Sequence, residues 1–339
     1  MSENQIPSEY LDVGKNSPEK RTSQPEETAT EANEREVTAG DIQLKIYFGG
    51  HDTEEDADKL AKGLQEADVY IPEVNGWNDS ALKFFSDVSK GEQSLDTIIK
   101  DAERSGAVIG PFRRRVSELL YATNKPIIIV DIPYGHQALS NAAEEINERT
   151  DDFSTAIEKT KQELKEEAAN QLEREAHILT ELQDQLPGLK ANYPSLFSNP
   201  QIKVFMPIGA VHTRISHKLL KDEDTGIEVT RDFSEKPFLY LPYSEAIRRN
   251  MFNKEVSNDL VAKVLLLRMV DHKISQLTSD TDQLARLSKT ITNGYSTEEV
   301  ENLYNVFRNA KSWNEFDSFF ASNLAQKGIT LPQQQGHSA

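Results

Sequence analysis

The sequence predicts an α/β fold: a mostly parallel central sheet flanked by helices, with an inserted long helical hairpin and a helical C-terminal part. Three observations predict it. Between Ile42 and Pro133, short runs rich in Ile and Val alternate with stretches of helical periodicity, the pattern of parallel strands joined by crossover helices. Between Asn141 and Leu186, apolar residues recur at helical spacing among many Glu, Lys and Gln. From Tyr243 to about Gln326 the periodicity stays helical.

Taken in order, residues 1–40 are rich in Glu, Ser, Thr, Asn and Pro, too polar to offset the entropy of ordering, and read as a disordered acidic tail. Residues 41–136 form a first α/β half. "IQLKIYFGG" is a strand ending in glycines. Thr53 is an N-cap for the helix that follows, with Ala57, Leu60, Ala61 and Leu64 on one face. "ADVYIPEV", "GAVIG" (Gly106–Gly110) and "KPIIIVDIP" are further strands, and "RRVSELLYATN" is a helix. Residues 137–198 hold the helical insertion, its apolar face drawn from Ile157, Leu164, Ala168, Leu172, Leu179, Leu182 and Leu186. Packing on the chain's own sheet is its expected use, with covering a site or meeting a partner helix, as in self-association, as the alternatives. Residues 199–242 return to β/α structure through "QIKVFMPIG", "GIEVTRDF" and "KPFLYLP". Residues 243–328 are helical, and Asp259–Val270 is apolar on nearly every side, so it is expected as a buried core helix. Residues 329–339 read as a second disordered tail.

Composition narrows the function. The chain has 339 residues, ample for a large core, and a formal charge of −18, which disfavours nucleic acid and anionic membrane as partners. No apolar run reaches the roughly 20 residues of a membrane helix. No early segment reads as a secretory signal, so a cytoplasmic location is the expectation. Cysteine is absent, which leaves His, Asp and Glu to carry chemistry.

Two strands end in small residues and then histidine: Gly49-Gly50-His51 and Gly209-Ala210-Val211-His212. In parallel sheets, ligand sites form beyond the carboxyl ends of strands. "DVYIPEV" brings Glu73 to the same edge, and Asp131 closes "PIIIVD" there as a supporting catalytic acid. Two imidazoles and a carboxylate suit a divalent metal, Mn²⁺, Co²⁺ or Zn²⁺, that would activate water and polarise a carbonyl. The bland alternative is a hydrogen-bonded turn histidine in each place; recurrence of the device argues against it. Arg113 and Arg114, early in a helix, are ill matched to its dipole and invite an anion from substrate, although a local acid such as Glu118 would serve. His217 and Tyr134 are candidates to line the pocket or stand behind it. The phosphate-loop, dinucleotide, His-Glu-x-x-His and Gly-x-Ser-x-Gly signatures are all missing from the sequence.

"GAVH" and the following "ISHKLLKDEDTGIEVTRDF", with "GGHDTEEDADKLAKGLQEADVYIPEV" before them, resemble the Tiki/TraB/erythromycin-esterase superfamily, whose members carry two Gly-x-x-His motifs and an intervening Glu. The resemblance spans about Ile42 to Phe233. The first motif departs from the family, with Phe48 where its glycine stands. The resemblance implies His51, Glu73 and His212 at the site. It also implies a hydrolase of peptide or ester bonds, metal-dependent as in Tiki proteins or histidine-assisted as in erythromycin esterases; a related lipoprotein binds haem. Small molecules or peptides would be the substrates. A non-catalytic ligand- or partner-binding protein on the same scaffold is the alternative.

Overall fold

The structure, a computed structural model, describes residues 42–51, 53–139, 151–195, 201–221, 227–234, 239–274, 277 and 281–330. The acidic tail expected over 1–40 and the last nine residues of the chain lie outside them, as do 140–150 at the start of the insertion.

β1 (Ile42–Gly49) is buried along most of its length, as a central parallel strand must be. It leads into α1 (Glu54–Glu66), whose N-cap is Thr53 as expected, completed by a capping box with Asp56. β2 (Val69–Tyr70) is short. Then come α2 (Asp79–Lys90), α3 (Leu95–Arg104) and α4 (Pro111–Leu120). "GAVIG" is not a strand but the coil between α3 and α4. Its Ala107 N–H turns back to the Ala102 carbonyl, and Val108 is 84% exposed, so nothing pairs with it. "KPIIIVDIP" is extended but only touches the sheet, through an isolated parallel bridge Tyr70–Ile127; a second bridge, Trp77–Pro133, lies beyond β2.

The insertion differs from the expected hairpin. Over the described residues it is one helix of 40 residues, α5 (Phe153–Asn192), capped by Asp152. Its first half packs Ala156, Ile157, Leu164 and Ala168 against the C-terminal helices, and its second half packs Ile178, Leu182, Leu186 and Leu189 beneath the sheet. Of the apolar stripe read from the sequence, Ile157, Leu164, Ala168, Leu182 and Leu186 are buried within the chain, and Leu172 and Leu179 are partly buried against the same clusters.

β3 (Ile202–Gly209), α6 (Thr213–Leu219) and β4 (Ile227–Phe233) follow, then α7 (Pro242–Met251), α8 (Asn258–Ile274), α9 (Thr281–Asn293), α10 (Thr297–Asn309) and α11 (Trp313–Gln326). α8 is the expected core helix, with Val261, Leu265, Leu266 and Met269 at 1% exposure or less. Among the described residues the sheet has four strands, all parallel, in the order β2-β3-β1-β4. Even-numbered residues of β1 and β3 face α5 and α6, while Tyr47 and Phe205 face α1 to α4. The α/β class is as the sequence indicates, and no helix among the described residues is long and apolar enough to cross a membrane.

Gly63 carries the contact between α1 and β3. A methyl built there would come under 3.0 Å of three ring atoms of Phe205, itself 1% exposed. Gly63→Ala is therefore expected to cost about 1–3 kcal/mol by overpacking, outweighing the gain of up to ~1 kcal/mol in helix propensity. A urea melt would show a lower midpoint with unchanged slope; an equal or higher midpoint would refute the close-packing account.

Candidate active site

The β1–β3 register sets Gly49 directly beside Gly209, so the two His-bearing loops leave adjacent strands at the same edge. From Gly209 the chain makes a short 3₁₀ turn, Ala210–His212, and enters α6 with the His212 side chain 1% exposed. Ile71 N–H donates to the Phe205 carbonyl at 2.9 Å, which ties the start of the Glu73 loop to β3.

Glu73 is the hub. Its Oε2 accepts from Gly209 N–H at 2.8 Å and meets His51 Nδ1 at 2.7 Å, and its Oε1 accepts from Arg174 Nη2 at 2.9 Å. An ionised carboxylate can only accept, so His51 carries a proton on Nδ1, and in the neutral ring the lone pair is then on Nε2. That Nε2 is buried and has no hydrogen-bond partner among the described residues. The His51 ring stacks on Phe112 with centroids 4.9 Å apart, which fixes its plane.

Arg174, from the middle of α5, binds Asp131 with two parallel bonds: Nε to Oδ1 at 2.8 Å and Nη2 to Oδ2 at 2.6 Å. Its Nη1 lies 3.1 Å from His212 Nε2, and His212 Nδ1 lies 3.3 Å from Glu175 Oε1. These contacts assign His212 as well: it donates from Nδ1 to Glu175 and accepts at Nε2 from Arg174. Asp131 also accepts from the N–H groups of Val74 and Ile132, at 3.1 and 2.8 Å. Burial pushes the Glu73 carboxyl up, but the hydrogen bond from His51 and the positive charge of Arg174 hold it well below the ordinary carboxylate range. Burial works against the Arg174 cation too, and its bonds to Asp131 and the charge of Glu73 override that.

His51, Glu73 and Arg174 form part of the wall of a cavity of about 430 Å³, and Tyr70, Phe112 and Arg113 also line it. Of the residues singled out in the sequence, the structure brings together His51, Glu73, Asp131 and His212, and places Arg113 on the cavity wall. Asp131 and His212 stand behind Arg174 and are not among the lining residues. Arg114 pairs with Glu103 at 3.9 Å, Tyr134 is 66% exposed, and His217 sits on an exposed face against Phe252; none of these three lines the cavity. Arg174 and Glu175 are functional candidates that motif reading passes over. Their signal was present: Glu175 falls on the buried stripe of α5, seven residues after Ala168 and three before Ile178, where an apolar residue belongs.

Among the described residues no group of three or more His, Asp or Glu side chains is arranged to hold a metal ion. The donor chemistry explains this. Both oxygens of Glu73 and both nitrogens of His212 are already engaged, and the positive charge between them is the Arg174 guanidinium. A metal held by His51, Glu73 and His212 does not fit this arrangement, so no step is derived through one.

Comparison of the chain with protein-family models, curated proteins and solved structures finds no match.

Proposed function

We propose that this cleft hydrolyses an ester or peptide bond by histidine-assisted catalysis, with His51 as general base. The single observation behind this reading is the His51 imidazole, bonded through Nδ1 to Glu73 and holding a buried, unpartnered Nε2 at the cavity. Such a group takes a proton from water as the water attacks a carbonyl, and returns it to the leaving oxygen or nitrogen. Glu73 fixes the tautomer and stabilises the imidazolium that forms, as the third member of a triad does. Arg174 supplies fixed positive charge on the same wall, and His212, Glu175 and Asp131 hold its guanidinium in place. Phe48, the departure in the first motif, packs in the core against Phe233 at 5.2 Å and is not among the residues lining the cavity. It leaves the cleft intact. A survey of nitrophenyl esters and fluorogenic peptides with the full chain tests the reading. Turnover that His51→Asn leaves unchanged would sink it.

Glu73 also sets a pH dependence of stability. Its folded value lies below the ordinary 4.5, so its stabilising contribution is complete above about pH 4.5 and is lost as pH falls towards the folded value. The melting-temperature gap between wild type and Glu73→Gln should be full at pH 6 and narrow steadily towards pH 3. A gap constant across that range would contradict the assignment.

A further inference from the structure

We propose that Arg113 makes this cleft selective for substrates that carry a compact anion, a carboxylate or phosphate group, beside the bond offered to His51. The bond broken rests on the hydrolase reading above; the anion preference does not.

The three consecutive arginines of α4 have different surroundings. Arg114 reaches Glu103, and Arg115 bonds both Asp58 and Glu118 at 2.7 Å. Arg113 lines the cavity half-buried, and among the described residues its guanidinium has no carboxylate or other hydrogen-bond partner. Glu73, the acid on the same wall, is already committed to His51, Gly209 and Arg174. Taking a cation out of water without a counter-charge costs free energy, so an unpaired guanidinium facing a cavity is set up for an anion that arrives with a ligand.

Tyr70 adds a second donor. Its phenol lines the same cavity close enough to Arg113 to feel its charge, and burial pushes the phenol up, so it keeps its proton and can donate. The first turn of α4 contains no acidic residue, and its N-cap, Gly110, contributes no side-chain bond, so the helix end adds positive potential to what Arg113 already provides. Phe85, Phe112 and Val116 supply apolar wall, and about 430 Å³ suits a small molecule. The ligand class is therefore a small ester or amide with an apolar group and one anionic group.

Titration calorimetry with N-acetylphenylalanine, its uncharged amide and phenyl phosphate tests this on the full chain. One or both anions should bind at least about tenfold tighter than the amide, and the tighter of the two identifies the group accommodated. Arg113→Gln should abolish that difference while melting no lower than wild type, because it removes an uncompensated charge rather than a structural contact. His51→Asn should keep the preference. Binding of both anions no tighter than the amide, preference surviving in Arg113→Gln, or a lower melting temperature for that variant would overturn the proposal. Anion preference without any turnover removes only the hydrolase reading, and turnover of neutral esters without anion preference removes only this one.

Discussion

Replacing His51 with Asn in the full chain should lower turnover of a responsive ester or peptide by about 10²–10⁴-fold, the usual contribution of a positioned general base. Stability should fall by about 1–3 kcal/mol, the usual cost of losing one hydrogen bond to a charged group. Among the described residues the ring makes one side-chain bond, to Glu73, and one stacking contact, with Phe112, and asparagine preserves a polar group at the cavity. The loss should fall on kcat more than on KM, because Nε2 acts on water in the transition state rather than on bound substrate. Glu73→Gln should show a smaller deficit on the same substrate, since it leaves the base in place but weakens stabilisation of the imidazolium. If His51→Asn and wild type differed less than threefold on every responsive substrate, the imidazole would not be the base.

Asp131→Ala should produce the largest loss of stability, about 3–5 kcal/mol, or a fall in melting temperature on the order of 10 °C. Asp131 is 2% exposed and accepts two bonds from Arg174 and two from backbone N–H groups. Removing the carboxylate takes two bonds from a buried guanidinium, leaving Glu73 as its carboxylate partner, and orphans two amides. The double variant Asp131→Ala/Arg174→Met should recover part of the loss, because the under-compensated cation goes too. A double-mutant cycle by denaturant melts checks this: additive losses would mean the pair does not act as a unit.

Much of this arrangement could be read before any coordinates. Parallel strands present their carboxyl ends to one edge, so His51, Glu73 and His212, each placed just after a strand, had to meet if the strands were neighbours. The Gly49–Gly209 register shows that two of those strands are. What the residues alone concealed was long-range pairing. Arg174 reaches the site across 43 residues from Asp131 and 101 from Glu73, and a charged residue inside a helix crowded with charge looks solvated until its face is known. The hairpin misreading has a related cause. Charge-rich sequence with a continuous apolar stripe suits one long helix as well as two short ones, and the choice rests on whether both ends of α5 find a core, which they do. "GAVIG" had strand composition, but the place beside β2 is taken: one side of β2 is held by β3 and the other by the extended segment at Ile127.

Glu73 receives its three bonds from partners 22, 101 and 136 residues away. Closing loops of that length is slow, and it comes after local helices have formed. The clasp therefore cannot exist in a molecule in which the early strand, the central rod or the late strand is still undocked. On the proposed hydrolase reading, competence at His51 would be a proofreading signal for the whole chain: a half-assembled molecule would stay inert, and the appearance of turnover during refolding would mark the last docking event.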